Sequence, residues 1–117
     1  MSRKIEDLTP VMQTKYTLFK GKMDADGIDF IITCTYRSQE EQDKLWAQGR
    51  TEQGRVVTWT KNSRHTKRDA FDIAIMKNGK ITWDAKDYQQ AGVIGEACGL
   101  VWGGRWGIPD FPHFQDS

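Results

Sequence analysis

Only two histidines occur in the 117 residues, and each lies close to aspartates. His65 falls within Ser63-Arg64-His65-Thr66-Lys67-Arg68-Asp69-Ala70-Phe71-Asp72, and His113 closes Asp110-Phe111-Pro112-His113. Imidazole nitrogens with a carboxylate form the donor set of a hydrolytic zinc centre, which takes three protein ligands and leaves a fourth position for water. His65, Asp72 and His113 supply those three. Asp110 is then left over, and a carboxylate beside zinc-bound water can accept its proton and later pass it to a leaving amine. Zinc lowers the pKa of such a water to about 7, so an aspartate base can work at neutral pH. The separation of His65 from Asp72 is not that of two ligands on one helical face. The site would join a loop and a strand to a distant strand, and would exist only in the folded chain. Against this, a histidine in a small protein is more often an ordinary core or surface residue, and an Asp-x-x-His pair is common by chance. Spacing alone leaves both readings open.

The elements that must position these residues can be read in order. Thr9-Pro10 starts a helix, with a Thr cap followed by proline where a missing amide proton costs nothing. Val11, Met12, Lys15, Tyr16, Leu18, Phe19 and Met23 form its stripe, and Asp26-Gly27 ends it. Residues 28–35 are β-branched and apolar enough for a buried strand. Ser38 with Glu41 three positions later forms a capping box opening a second helix, which carries Leu45 and Trp46 and closes at Gly49. Arg37 therefore stands at a strand end beside a helix N-terminus, placed either to meet a ligand or to be an exposed surface arginine. In a shared cleft it would stabilise an oxyanion or hold a carboxylate. Residues 51–62 read as a loop or short edge strand walling the site, with Ser63 placed to orient His65 or bond substrate.

Asn78-Gly79 between two β-prone runs marks a hairpin, so residues 71–76 form a strand carrying Asp72, with His65 in the loop before it. Asp84 caps a third helix over residues 85–98, with Tyr88, Ala91, Ile94, Ala97 and Cys98 inward and Gly99 as its stop. Leu100-Val101-Trp102 is the next strand. Gly103-Gly104-Arg105-Trp106-Gly107 is a tight turn, misplaced for a phosphate loop, that returns the chain toward the first histidine segment.

Size and charge bound what such a site can serve. A chain of 117 residues has room for one domain, taken here as residues 1–117, and 38% hydrophobic with 28% charged residues is an ordinary folded composition. A net charge of +1 with dispersed Lys and Arg gives no electrostatic footprint for nucleic acid. The charged N-terminus and the lack of a long apolar run predict neither signal peptide nor membrane insertion, hence a cytosolic product. Cys34 and Cys98 are expected as reduced, buried thiols. Of the five tryptophans, Trp46, Trp59, Trp83 and Trp102 are expected in the core or cleft wall. Only Trp106 is placed to touch substrate.

These segments together resemble a known group, the zinc peptidases related to D-Ala-D-Ala carboxypeptidases, and within it the L-alanyl-D-glutamate peptidases of phage endolysins. Ser63, His65, Ala70 and Asp72 match that family's Ser-x-His-x-x-Gly-x-Ala-x-Asp in register, and Asp110 with His113 matches its second motif. Tyr36-Arg37-Ser38, Glu41-Gln42 and residues 46–50 are similar to the segment around its substrate-binding arginine, as is the Gly103-Gly104-x-Trp106 turn. The resemblance implies zinc on His65, Asp72 and His113, Asp110 as catalytic base and Arg37 as a substrate or transition-state contact. It also implies an α+β fold, a small mainly antiparallel sheet with about three helices, of the Hedgehog and D-Ala-D-Ala peptidase type. One position departs from the pattern, since Arg68 stands where the family has glycine. If that glycine takes a positive φ, Arg68 bears a strain on the order of 1 kcal/mol.

The function this implies is a peptidoglycan hydrolase, an endolysin cutting the stem peptide between L-Ala and D-Glu by attack of a zinc-bound water. It would act as a monomer held in the host cytoplasm until the membrane is breached. A D-Ala-D-Ala carboxypeptidase or dipeptidase, or a non-catalytic zinc domain that binds wall fragments, are the alternatives. Asp110 separates the last from the others, since a binding module has no use for a base.

Overall fold

A computed structural model describes residues 1–117. In chain order it contains α1 (Pro10–Ala25), β1 (Asp29–Cys34), α2 (Gln39–Ala47), β2 (Ala70–Lys77), β3 (Lys80–Thr82), α3 (Ala85–Ala97), β4 (Leu100–Trp102) and β5 (His113–Asp116). The five-stranded sheet has the order β1-β2-β5-β4, with β3 also paired to β2, and every pairing is antiparallel. The α+β class with three helices is as the sequence implies.

The local signals act as their chemistry requires. Thr9 Oγ1 accepts from Met12 N, Ser38 and Glu41 form the reciprocal capping box, and Asp84 caps α3 through Lys86 N. Asn78 (φ 54°) and Gly79 (φ 78°) turn β2 into β3 with both central residues left-handed, the geometry that matches strand twist.

Three expectations need correction. β1 is not buried on both faces. It is the outer strand of the sheet, its burial alternates, and Ile31 faces solvent, because only β2 pairs with it. On α1, Val11 and Leu18 point outward, and the buried stripe is Met12, Phe19 and Met23. On α3, Ala97 is exposed, whereas Gly92 and Gly95 are buried. A Cβ on Gly92 would lie 2.2 Å from the Trp102 indole and one on Gly95 2.5 Å from the Phe114 ring. The absence of side chains there lets the helix lie flat on β4 and β5.

The core is one cluster under the sheet, formed by Phe19 and Met23 of α1, Tyr88 and Ile94 of α3, and Phe71, Ile73, Trp102 and Phe114 of the strands. Phe71 and Phe114 are register partners and stack with ring centroids 5.5 Å apart, and both pack against Phe19. Tyr88 is fully buried because its hydroxyl is satisfied twice, accepting from Ile75 N and donating to Thr82 O. Cys34 and Cys98 are both free and buried, as expected.

Candidate active site

Successive residues on a strand face opposite sides of the sheet, so the pair next to Phe71 and Phe114 points away from the core. That pair is Asp72 and His113, register partners across β2 and β5. Asp72 Oδ1 lies 3.0 Å from His113 Nδ1, and Asp72 Oδ2 lies 3.1 Å from His65 Nε2. Donor atoms of the three residues all fall within 4.8 Å of one another. His65 sits on a short 3-10 turn, Arg64–Lys67, rather than in an irregular loop. Ser63 caps that turn by accepting from His65 N, so of the two roles open to it the structure displays the orienting one.

The hydrogen bonds around the rings decide which nitrogens are free. His65 Nδ1 is 3.1 Å from the Thr35 carbonyl, which can only accept, so Nδ1 carries the proton and Nε2 presents a lone pair. His113 Nε2 donates to Gln115 Oε1 at 2.9 Å, which leaves the Nδ1 lone pair toward Asp72. Two lone pairs and a carboxylate thus converge, and buried His65 Nε2 has no hydrogen-bond partner. Such a cluster is repulsive until a positive charge enters it, and it fits a divalent cation with outer hydrogen bonds already in place. Without one, protons take that place. Burial of His65 opposes its charging, but the adjacent Asp72 carboxylate and Cys34 sulfur outweigh burial and raise its pKa from 6.5 to about 10. Burial likewise opposes ionisation of Asp72, but hydrogen bonds from His113 and His65 overcome it and hold the carboxyl well below its ordinary 3.8.

Asp110 and Arg37 line the same cleft, of about 430 Å³, with Ser63, Trp106, His65, Asp72 and His113. Asp110 is held by a tight turn, since Asp110 N donates to Gly103 O and His113 N donates to Asp110 O. A Cβ on Gly103 would come within 2.5 Å of that Asp110 carbonyl. The carboxyl keeps an edge in solvent, while the protein around it and the Asp72 charge push its pKa up from 3.8. Trp106 packs on the His113 ring with centroids 5.2 Å apart. Arg37 donates to Gln42 Oε1 at 2.7 Å and approaches Cys34 Sγ at 3.7 Å, and its Nε is buried without a partner. It is half-buried rather than a free surface arginine.

Gln42, Thr35 and Gln115 are contributors that sequence reasoning passed over. Gln42 is fully buried and also donates to Thr58 Oγ1 and Thr60 O, tying Arg37 to the loop that walls the cleft. Its signal was available, as a polar residue three and four positions before Leu45 and Trp46 on one helix face. Gln115 was legible as the residue two beyond His113 on a strand. Thr35 acts through its carbonyl, which no side-chain pattern reveals.

Arg68 takes the left-handed conformation itself, with φ 63° and ψ 23°. Its guanidinium stacks 3.9 Å over the Tyr36 ring and donates to Asp7 O, contacts that offset the backbone strain. Asp69 pairs with Arg64 at 2.8 Å. Of the tryptophans expected in the core or cleft wall, Trp83 is 64% exposed and outside the core, and Trp59, 66% exposed, walls a groove beside the cleft rather than packing in the core.

Comparison with known proteins is consistent with this geometry. Residues 57–116 match the family described as D-alanyl-D-alanine carboxypeptidase. The peptidoglycan L-alanyl-D-glutamate endopeptidase CwlK of Bacillus subtilis is 34% identical over 93% of this chain and 73% of its own length. The L-Ala D-Glu endopeptidase ChiX of Serratia marcescens superposes with a TM-score of 0.79 at 23% identity, covering 97% of this chain and 83% of that one, which establishes a shared fold.

Proposed function

The chain belongs to the D-alanyl-D-alanine carboxypeptidase family of peptidases, and from that membership we propose that it is a zinc-dependent peptidoglycan hydrolase cleaving the stem peptide at the L-Ala–D-Glu bond. The observation that carries the proposal is the convergence of His65, Asp72 and His113 in a cleft that Asp110 and Arg37 also line. The name of the 34% identical relative supports the choice of bond.

His65 Nε2, His113 Nδ1 and Asp72 would hold the ion. Zinc so bound supplies Lewis acidity, lowering the pKa of a water and polarising a carbonyl. Asp110 takes the proton that the attacking water loses at its carboxylate oxygen, then returns it to the departing D-Glu nitrogen. Its raised pKa, set by the protein that displaces water from one side of the carboxyl and by the Asp72 charge, suits a group that must both accept and release a proton. Arg37, pre-positioned by Gln42, meets the oxyanion or a glutamate carboxylate. Thr35 and Gln115 hold the two imidazoles in the tautomers that leave the inward nitrogens bare. Ser63 fixes the turn that carries His65.

We place the work of this enzyme at the bacterial wall, as a monomeric phage-type lysin released from the host cytoplasm. No helix is long and apolar enough to cross a membrane. Digestion of defined muropeptides followed by mass spectrometry tests the bond. New N-terminal D-Glu with the L-Ala left on the sugar is the expected product. Release of free D-Ala with the L-Ala–D-Glu bond intact would instead make the chain a carboxypeptidase.

A further inference from the structure

Beside the metal cleft lies a second depression of about 400 Å³, and the two are continuous, sharing Val57, Thr58, Thr60, Trp106 and Asp110. Its remaining walls are Trp59, Ile108 and Pro109. Trp59 is 66% exposed, Ile108 58% and Val57 54%, so three large apolar side chains that line one groove stand in water. The loop beneath is not slack. Gln42 Nε2 donates to Thr58 Oγ1 and Thr60 O, and Arg50 Nη2 donates to Thr58 O, so the backbone on both sides of Trp59 is tied down. An indole standing out from a braced loop contributes little to the fold and is a prepared platform for a flat, partly apolar ligand.

The chemistry of the substrate says which ligand belongs there. In peptidoglycan, L-Ala is joined through its nitrogen to the lactyl group of the muramyl sugar. A bond cut immediately after L-Ala therefore lies one residue from a pyranose ring, on the side opposite D-Glu. Arg37 lines the central cleft but not the side groove, Trp59 lines the groove but not the cleft, and Trp106 stands between them, so the guanidinium and the Trp59 indole lie at opposite ends of one continuous site. That division matches a substrate with carboxylates on one side of the scissile bond and a sugar on the other.

We propose that the groove between Trp59 and the Trp106–Pro109 turn is a saccharide subsite that seats the N-acetylmuramyl ring, with the indole of Trp59 against the apolar face of the sugar. Thr58 and Thr60 add polar residues to the lining on either side of Trp59. The assignment rests on the peptidoglycan reading above. It adds that the enzyme recognises the glycan as well as the peptide.

Binding and turnover test it separately. N-acetylmuramyl-L-alanine, the product on the sugar side, is titrated into the protein while the tryptophan indole N–H signals are followed by NMR. The Trp59 resonance should shift, and Trp59→Ala should weaken binding roughly ten-fold, the scale of one lost aromatic contact. Turnover is then compared on a muramyl peptide and on the same peptide lacking the sugar. Trp59→Ala should raise KM for the muramyl substrate about ten-fold more than for the sugar-free one, with kcat changed little. Ile108→Ser, on the opposite wall and exposed, should act in the same direction. Absence of any indole shift, or an equal penalty on both substrates, would overturn the subsite. Dimerisation abolished by Trp59→Ala without sugar binding would also overturn it, by showing that the groove serves a second copy. A protein that binds the muramyl compound at Trp59 but cleaves neither peptide would defeat the hydrolase reading and leave the subsite standing.

Discussion

The two faces of the β2–β5 strand pair are built from adjacent residues and obey opposite rules. Phe71 and Phe114 point down into a dry aromatic cluster whose members satisfy each other by contact. Asp72 and His113, one residue along, point up into a cleft where they meet each other at 3.0 Å and the buried His65 Nε2 is left without a hydrogen-bond partner. The lower face is complete as folded. The upper face gathers three residues that could hold a cation, and its geometry is held by the packing beneath it. What the contrast teaches is that stability and reactivity are separated here by the pleat alone, across the thickness of one sheet.

Perturbing either face should therefore leave a distinct signature. The largest effect on chemistry is expected from His65→Ala, which removes a ligand while the aromatic cluster stays intact. Zinc measured by elemental analysis should fall to background and lysis of wall fragments with it, at nearly unchanged circular dichroism. Retained stoichiometric zinc would show that the three-residue donor set is misassigned. Asp110→Ala comes next. Metal content should persist while turnover drops by about 10²- to 10⁴-fold, the usual weight of a positioned acid–base group. Wild-type turnover in that variant would remove Asp110 from the mechanism.

On the other face, Phe114→Ala should cost about 3–5 kcal/mol in denaturant unfolding, as large aromatic truncations in cores do. If the faces are separable, the protein that remains folded should still bind zinc. A loss of metal affinity with little loss of stability would break the contrast, because it would mean that Phe114 serves the site more than the core.

A smaller effect concerns pH in metal-free protein. The folded-state pKa of His65 is raised from 6.5 to about 10, so the stabilisation it gives is complete below about 6.5 and is lost as pH climbs toward 10. Asp72 is depressed below its ordinary 3.8, so its contribution is present above that value and disappears in stronger acid. Thermal melting of chelator-treated protein should accordingly decline between about pH 6.5 and 10. Zinc should abolish that decline, since the ion replaces the proton that the alkaline protein has lost. A flat Tm over this interval without metal would argue that the cleft carries no stored charge conflict.

The smallest expected difference lies at Arg68. Alanine there keeps the left-handed strain and loses the Tyr36 stack, whereas glycine loses the stack but relieves the strain. Arg68→Gly should be more stable than Arg68→Ala by about 1 kcal/mol in denaturant unfolding. Equal stability would mean the turn relaxes to another conformation.

How much of this was legible beforehand follows the range of the forces involved. Helix starts were readable because Thr9, Ser38 and Asp84 cap their own following turns, and the Asn78-Gly79 hairpin because two adjacent residues specify it. His65, Asp72, His113 and Asp110 stood out by residue type and motif register, and folding brings them together. What escaped depended on distant partners. β1 is outermost because no strand pairs with its free side, a property of the whole sheet and not of residues 28–35. Gly92 and Gly95 look like weak points in a helix until Trp102 and Phe114 are seen to occupy the space their side chains would need. Gln42 shares a helix face with Leu45 and Trp46, but that it ties Arg37 to the 58–60 loop is seen only in the folded chain. The exposure of Trp59 is invisible in sequence, where a tryptophan counts toward the core by default.

The placement of β5 has a further consequence. Its four residues come after β2 and β4 in the chain yet lie between them, so until they dock both neighbours have an open edge and the donor cluster lacks one imidazole. Sheet closure and assembly of the ion-binding pocket are thus a single event, and a half-made molecule on the ribosome has neither.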